Sequence, residues 1–310
     1  MNDRREKQTS TLKRLPTEQA NPASRDLDGK SSLEIARIMN AQDAKVAAAV
    51  KPALPQIARA IDAITAALQR GGRLIYVGAG TSGRIAALDA VEGPPTFNTD
   101  PKTVQFIIAG GPKALAGAVE ANEDSRQLGE RSIARKKPGR NDVVVGIAAS
   151  GRTPFTVAAI EYARRRGAKT VAVTCAPRSA LVRAAHIAIV TEVGPEVIAG
   201  SSRMKAGTAQ KMVLNMLSSG AMTRLGYVYG NLMVNVHLKN QKLRQRGMAI
   251  LEQAAKIDPQ RAGNALKLAG DSVPVALIML KAGVSRADAE RALKSSHGHV
   301  RRAIARVRSL

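Results

Sequence analysis

The sequence predicts an α/β protein: a doubly wound, parallel, five-stranded sheet flanked by helices, followed by a small C-terminal helical subdomain. Three observations predict it. Short continuous apolar runs alternate with stretches of helical spacing, the pattern of parallel strands buried on both faces. Aromatic residues are only 2% of the chain and tryptophan is absent, so packing must rest on Ala, Val, Leu, Ile and Met, which suits helices against such a sheet. Beyond Lys239 the strand-like runs stop, and short helical segments follow, punctuated by Asp258-Pro259, Gly270 and Gly283.

Each element has its own signal. Residues 1–30 carry Pro16, Pro22 and Gly29 with no periodicity and read as a mobile arm. A helix starts where Ser31 caps Leu33, Ile35, Ile38 and Met39. A second runs from about Pro55 through Ile57, Ile61, Ile64 and Leu68 and stops at Gly71-Gly72. The five apolar runs are 73–78, 104–109, 142–148, 170–174 and 187–190. Residues 113–137 and 154–166 read as helices between them, and a long helix is expected from about Ser202 to Arg224. The organisation expected is therefore the arm 1–30, a catalytic domain 31–238 and a helical subdomain 239–310.

Composition excludes several function classes. The one cysteine, Cys175, rules out an internal disulfide or a cysteine-rich zinc site, and its place in an apolar run reads as a buried strand residue. The polar first 30 residues hold no secretory signal. The most apolar helical tract, 212–238, is broken by Arg224. A cytoplasmic protein with no membrane partner is the expectation. Net charge is +24, from 48 Lys and Arg against 24 Asp and Glu. Residues 239–310 contribute 15 basic and 5 acidic residues, so +10, but no aromatic residues for base stacking. A solvated basic surface is preferred there over polyanion binding, and nucleic acid is not expected as a partner.

In an open parallel sheet ligands bind beyond the carboxyl ends of the strands. The first strand ends in Gly78-Ala-Gly-Thr-Ser-Gly83-Arg84. This satisfies G-x-G-x-x-G, but no acid follows the second strand to hold a ribose. Thr81 and Ser82 instead sit at a helix start, where free amides and the dipole favour a phosphate; a plain tight turn is the alternative. The third strand ends in Ala148-Ala-Ser-Gly-Arg-Thr-Pro154 and opens another helix. There Ser150 and Thr153 flank Gly151, as a second anion cradle or a bare cap. Beyond the fifth strand, Glu196, Ser201, Ser202, Arg203 and Lys205 precede the long helix. Glu92, just past the helix that follows the first loop, and Glu123 are candidate acid and base groups; by residue type alone each is equally a solvated glutamate. His297 and His299 lack further ligand residues nearby and read as a surface turn.

The Ser/Thr loops with the Gly-Pro-Glu…Ser-Ser…Lys-Ala segment resemble the sugar isomerase (SIS) fold. Longer stretches, 73–84, 88–96, 123–125, 142–154 and 200–211, with Thr17-Glu-Gln-Ala-Asn-Pro, resemble the N-acetylmuramic acid 6-phosphate etherase family. The tail resembles that family's small ubiquitin-associated-like bundle, while the strong basicity departs from its general look. The resemblance implies cleavage of the D-lactyl ether of N-acetylmuramic acid 6-phosphate in cell-wall amino-sugar recycling, with no metal or redox cofactor. It also implies roles: Glu92 as proton donor, Glu123 as second carboxylate, and Thr81, Ser82, Ser150 and Thr153 around the phosphate and sugar. Glu196, Ser201, Ser202 and Lys205 match the segment that closes over the substrate. A homodimer is implied by the helix pairing of SIS domains. The competing expectations are a non-catalytic SIS regulator of a kinase or of transcription, and a simple phosphosugar isomerase.

Overall fold

The computed structural model describes residues 18–117, 122–238 and 240–309. The chain divides into two compact units. The first comprises residues up to Ala90 together with Lys102–Leu217; the second comprises Val91–Pro101 and Ser218 onwards.

In the first unit, α1 (Ser32–Asp43) begins with a reciprocal capping box: the Ser31 hydroxyl accepts the Glu34 amide, and the Glu34 carboxylate accepts the Ser31 amide. The short α2 (Val46–Val50) leads to α3 (Leu54–Gln69), which packs against the sheet. Strands β1 (Leu74–Gly78), β2 (Val104–Ile108), β3 (Val143–Ile147), β4 (Lys169–Thr174) and β5 (Ile187–Val190) form one parallel sheet in the order β2-β1-β3-β4-β5. This is the expected five-stranded doubly wound sheet. Every residue of β1 and β3 is buried, so both pleat faces are covered, which is why these runs do not alternate. Tyr76 lies wholly inside, and its hydroxyl donates to Asp89 at 2.8 Å.

Between strands run α4 (Gly80–Phe97), α5 (Lys113–Ala116), α6 (Arg126–Ala134), α7 (Pro154–Arg165), α8 (Ala180–Ala184) and α9 (Lys205–Arg224). Two expectations are corrected. The helical reading of 113–137 divides, because Gly117 closes α5 in extended geometry and Ser125 caps α6 anew. Glu92 is not beyond the first loop's helix but within it: α4 continues through Pro94 and Pro95 and ends at Phe97, just before Asn98, whose φ is 52°.

The second unit holds a two-stranded hairpin, β6 (Val228–Tyr229) and β7 (Leu232–Met233), and five helices. These are α10 (Gln241–Ala255), α11 (Pro259–Leu268), α12 (Val273–Ala282), α13 (Arg286–Ser295) and α14 (Val300–Arg308). Asn240, Asp258, Ser272, Ser285 and His299 cap them in turn, and their apolar faces share one core around Leu251, Leu266, Leu277 and Ile304. Among the described residues no helix is long and apolar enough to cross a membrane.

One polar clamp joins the entries of the two central strands. The buried Asp142 carboxylate accepts the Arg73 amide at 2.9 Å, Arg73 Nη2 at 2.8 Å and the Gly139 amide at 3.0 Å. Burial pushes this carboxyl up, but the Arg73 hydrogen bonds and charge and the Gly139 amide outweigh it and hold it below the ordinary aspartate value. A depressed folded-state pKa stabilises the protein above the unfolded value and loses that contribution as pH falls through the folded one. Asp142→Asn should therefore cost about 2–4 kcal/mol at pH 7. In urea melts the gap to the native protein should narrow below about pH 4. A gap that stays constant from neutral to acid pH would refute this account.

Candidate functional site

The sheet order reverses direction between β1 and β3, and the register pairs Gly78 with Ile147. The crevice of such a fold opens at this switch point, beyond the strands' carboxyl ends. The two Ser/Thr loops leave the sheet from these two neighbouring strands, so the expected ligand loops lie side by side.

The first loop is made tight by glycine. A Cβ on Gly78 would fall 2.8 Å from the Gly83 amide nitrogen. This close approach brings Thr81 and Ser82 into the first turn of α4, whose leading amides have no intrahelical partners. In the second loop Gly151 has φ +62°, and a Cβ there would lie 2.2 Å from Ser179 Oγ. Ser150 Oγ accepts the Arg152 amide at 3.3 Å, and Thr153 caps α7 by backbone geometry without using its hydroxyl. Among the described residues no hydrogen bond occupies the hydroxyls of Thr81, Ser82, Thr153, Ser201 or Ser202.

The segment after β5 returns to the same end. A Cβ built on Gly207, in the first turn of α9, would lie 3.6 Å from Thr81 Cγ2 and 3.7 Å from the Ser202 carbonyl. Ser202 and Thr81 are thus neighbours across that glycine. Glu123 is tied to the second loop's helix: its carbonyl accepts the Phe155 amide at 3.0 Å, and Phe155 is the second residue of α7. Glu92 lies on α4 eleven residues beyond Thr81 and is exposed. At about 100° per residue that spacing puts both on one side of the helix. Glu92 belongs to the second compact unit, Glu123 to the first.

Glu196 and Lys205 form a buried pair with defined tasks. The Glu196 carboxylate is wholly inaccessible and accepts the Lys205 and Ala206 amides, both at 2.9 Å. It is the cap of α9, which no residue adjacent to that helix provides. The Lys205 ammonium turns inward and donates to the Val193 carbonyl at 2.8 Å and to Gln42 Oε1 at 3.4 Å. Burial depresses its pKa, partly opposed by the charge of Glu196.

Three residues that sequence reasoning missed support this segment. Asn21 Nδ2 donates to the Pro195 carbonyl at 3.0 Å and to Gln42 at 3.1 Å, and Ser24 Oγ donates to the Val197 carbonyl at 2.6 Å. Residues 18–30, the described part of the arm, therefore clasp the loop that carries Glu196; residues 1–17 of that arm lie outside the described residues. The only signal for the clasp was Asn21-Pro22 within the stretch Thr17-Glu-Gln-Ala-Asn-Pro. Cys175 is buried as expected but lies just past the carboxyl end of β4 and not in the strand, and burial pushes its thiol up to about 11, which makes it a poor nucleophile. His299 Nδ1 accepts the Arg302 amide as the cap of α14.

Comparison with known proteins matches this architecture. Residues 137–219 match the SIS domain model, and residues 56–164 match that of the glucokinase regulatory protein N-terminal SIS domain. The N-acetylmuramic acid 6-phosphate etherase of Symbiobacterium thermophilum is 58% identical over 274 residues, covering 88% of this chain and 91% of the relative. That of Vibrio vulnificus is 50% identical over 94% of this chain and 98% of its own length. That of Streptomyces avermitilis is 49% identical over 95% of this chain and 94% of its own. With relatives this similar along nearly all of both chains, and with its Ser/Thr loops at the switch point of an SIS sheet, the chain belongs to the N-acetylmuramic acid 6-phosphate etherase family.

Proposed function

We propose that this protein cleaves the D-lactyl ether of N-acetylmuramic acid 6-phosphate, giving N-acetylglucosamine 6-phosphate and D-lactate, and that it acts as a cytoplasmic homodimer in cell-wall amino-sugar recycling. The observation that carries the reading is the pair of helix-opening Ser/Thr loops at the sheet's switch point, in a chain of this family. In this reading residues 31–238 are the catalytic domain and 239–310 an accessory helical subdomain.

The chemistry follows from the substrate. Once the sugar ring opens, the C1 aldehyde acidifies the proton on C2. A carboxylate removes that proton, the electron pair forms the C2–C3 double bond, and the lactate oxygen leaves C3 as it takes a proton from an acid. Water then adds, hydroxyl to C3 and proton to C2, so one water is consumed overall. Glu92 is assigned as proton donor and Glu123 as the second carboxylate, two groups whose opposite protonation demands suit different surroundings. Thr81, Ser82, Ser150 and Thr153 hold the phosphate and sugar, aided by helix-start amides. Ser201 and Ser202 close over the substrate from the far side, with Glu196 and Lys205 holding that segment in place.

The homodimer reading is supported by apolar side chains left in water on α4: Leu88 and Val91 are 52% and 55% exposed, close to Glu92 in sequence. The site is assigned near the subunit boundary.

The test is D-lactate release from N-acetylmuramic acid 6-phosphate by the purified chain, with its mass read by light scattering. Ser150→Ala should raise KM by about tenfold while lowering kcat much less, as expected for a lost phosphate contact. Binding of the sugar phosphate without lactate release would turn the reading to a non-catalytic regulator, and a monomer at micromolar concentration would remove the dimer.

A further inference from the structure

The amino ends of the strands, opposite the switch-point loops, hold a concavity that the etherase reading does not use. It is lined by Arg70 at the end of α3, Arg140 before β3, Lys169 at the start of β4 and His186 before β5. Its floor includes Ala63 and Ala67, whose short side chains leave room between the four polar groups. Strands β3 and β4 are five and six residues long, so this end lies about 17 Å from the Ser/Thr loops.

Among the described residues the side chains of Arg70, Arg140 and Lys169 have no carboxylate or hydrogen-bond partner. The one acid on the lining, Asp142, is already committed to Arg73 and to the Gly139 amide. His186 is held in a single orientation, because its Nδ1 accepts the Thr170 amide at 3.1 Å. The neutral ring therefore carries its proton on Nε2 and remains a donor. Burial, and then the charges of Arg164 and Lys169, hold the His186 pKa below its ordinary value.

Three cations and an oriented N–H donor around a floor of small side chains make a cradle for a compact, multiply charged anion. We propose that this concavity is a second anion site, which takes the phosphate group of a small phosphorylated molecule. It is built from different residues than the proposed catalytic site and stands whether or not the etherase reading holds.

The experiment titrates inorganic phosphate into the full-length protein, with its histidine rings isotope-labelled, at 0.15 M sodium chloride. The ring resonance of His186, assigned by its loss in His186→Gln, is expected to move along a saturable curve. In the Arg140→Gln/Lys169→Gln double variant the affinity read from that curve should weaken by at least about tenfold. Lys169→Arg should retain it, and Ser150→Ala, at the other end of the sheet, should leave it unchanged. All three substituted positions on this lining are exposed, and the melting temperature of each variant checks the fold. A His186 signal that does not saturate with phosphate, or a curve unaltered by the double variant, overturns the proposal. Lactate release by the double variant, expected near the native rate, keeps this outcome separate from the fate of the etherase reading.

Discussion

Glu92→Gln is expected to lower D-lactate release by at least about 100-fold with little change in sugar-phosphate binding, and Glu123→Gln to do the same. Glutamine keeps the shape and most of the hydrogen bonding of glutamate but cannot exchange a proton at the reacting atoms. If one group only protonates the leaving lactate oxygen and the other only removes the C2 proton, the losses fall on kcat and the two act in one step. The double variant should then lose less than the product of the single losses, since residues that act as a unit are strongly non-additive. The two glutamates are also unlike in setting. Glu92 is exposed on a helix face, whereas Glu123 is half-buried with its backbone bonded to the start of α7. A substrate with a better leaving group at C3 separates their roles: it should restore turnover in the variant lacking the proton donor and not in the variant lacking the base. Near-native turnover in both single variants would sink the mechanism even if the protein still bound sugar phosphates tightly.

The fold was legible because its signals are local. Each strand of the sheet is a continuous apolar run, and each run ends where glycine or a hydroxyl residue takes over, as at Gly78-Ala-Gly-Thr-Ser and Ala149-Ser-Gly. The ligand loops were legible for the same reason, since a Ser or Thr at a strand's carboxyl end also starts a helix. What resisted reading depends on contacts between residues distant in sequence. Glu196 lies nine residues ahead of Lys205, far outside the usual capping positions, so nothing in its neighbourhood marks it as the carboxylate that caps the start of α9. The Asn21 and Ser24 clasp spans more than 170 residues of sequence. The persistence of α4 past Pro94 and Pro95 contradicts a rule that holds for most helix interiors, and only its surroundings decide such a case. Likewise Val91–Pro101 joins Ser218 onwards in one compact unit, with Asn235 Nδ2 donating to the Phe97 carbonyl at 2.7 Å, and no periodicity announces such a pairing.

Glu196→Ala carries the largest expected cost in stability, about 3–5 kcal/mol. Three losses combine. The amides of Lys205 and Ala206, each bonded to the carboxylate at 2.9 Å, lose their acceptor inside the protein, where water does not replace it. The amino end of the twenty-residue α9 loses the negative charge that its dipole favours. The buried Lys205 ammonium loses the larger of the charges that oppose its desolvation, and keeps the Val193 carbonyl, Gln42 and the smaller influence of Asp43. Glu196→Gln separates these losses. Its side-chain oxygen still accepts one amide, but its NH2 group faces the other, and the charge is gone, so it should fall between the native protein and Glu196→Ala. The same change should reach catalysis through position. Ser201 and Ser202 lie in the turn just ahead of α9, so loosening its first turn should raise KM for the sugar phosphate before it lowers kcat. Addition of Lys205→Met to Glu196→Ala is the decisive arm. If the uncompensated ammonium dominates, the double variant should recover part of the lost stability in urea melts; if it is no more stable than Glu196→Ala alone, the cost lies in the cap and this charge argument fails.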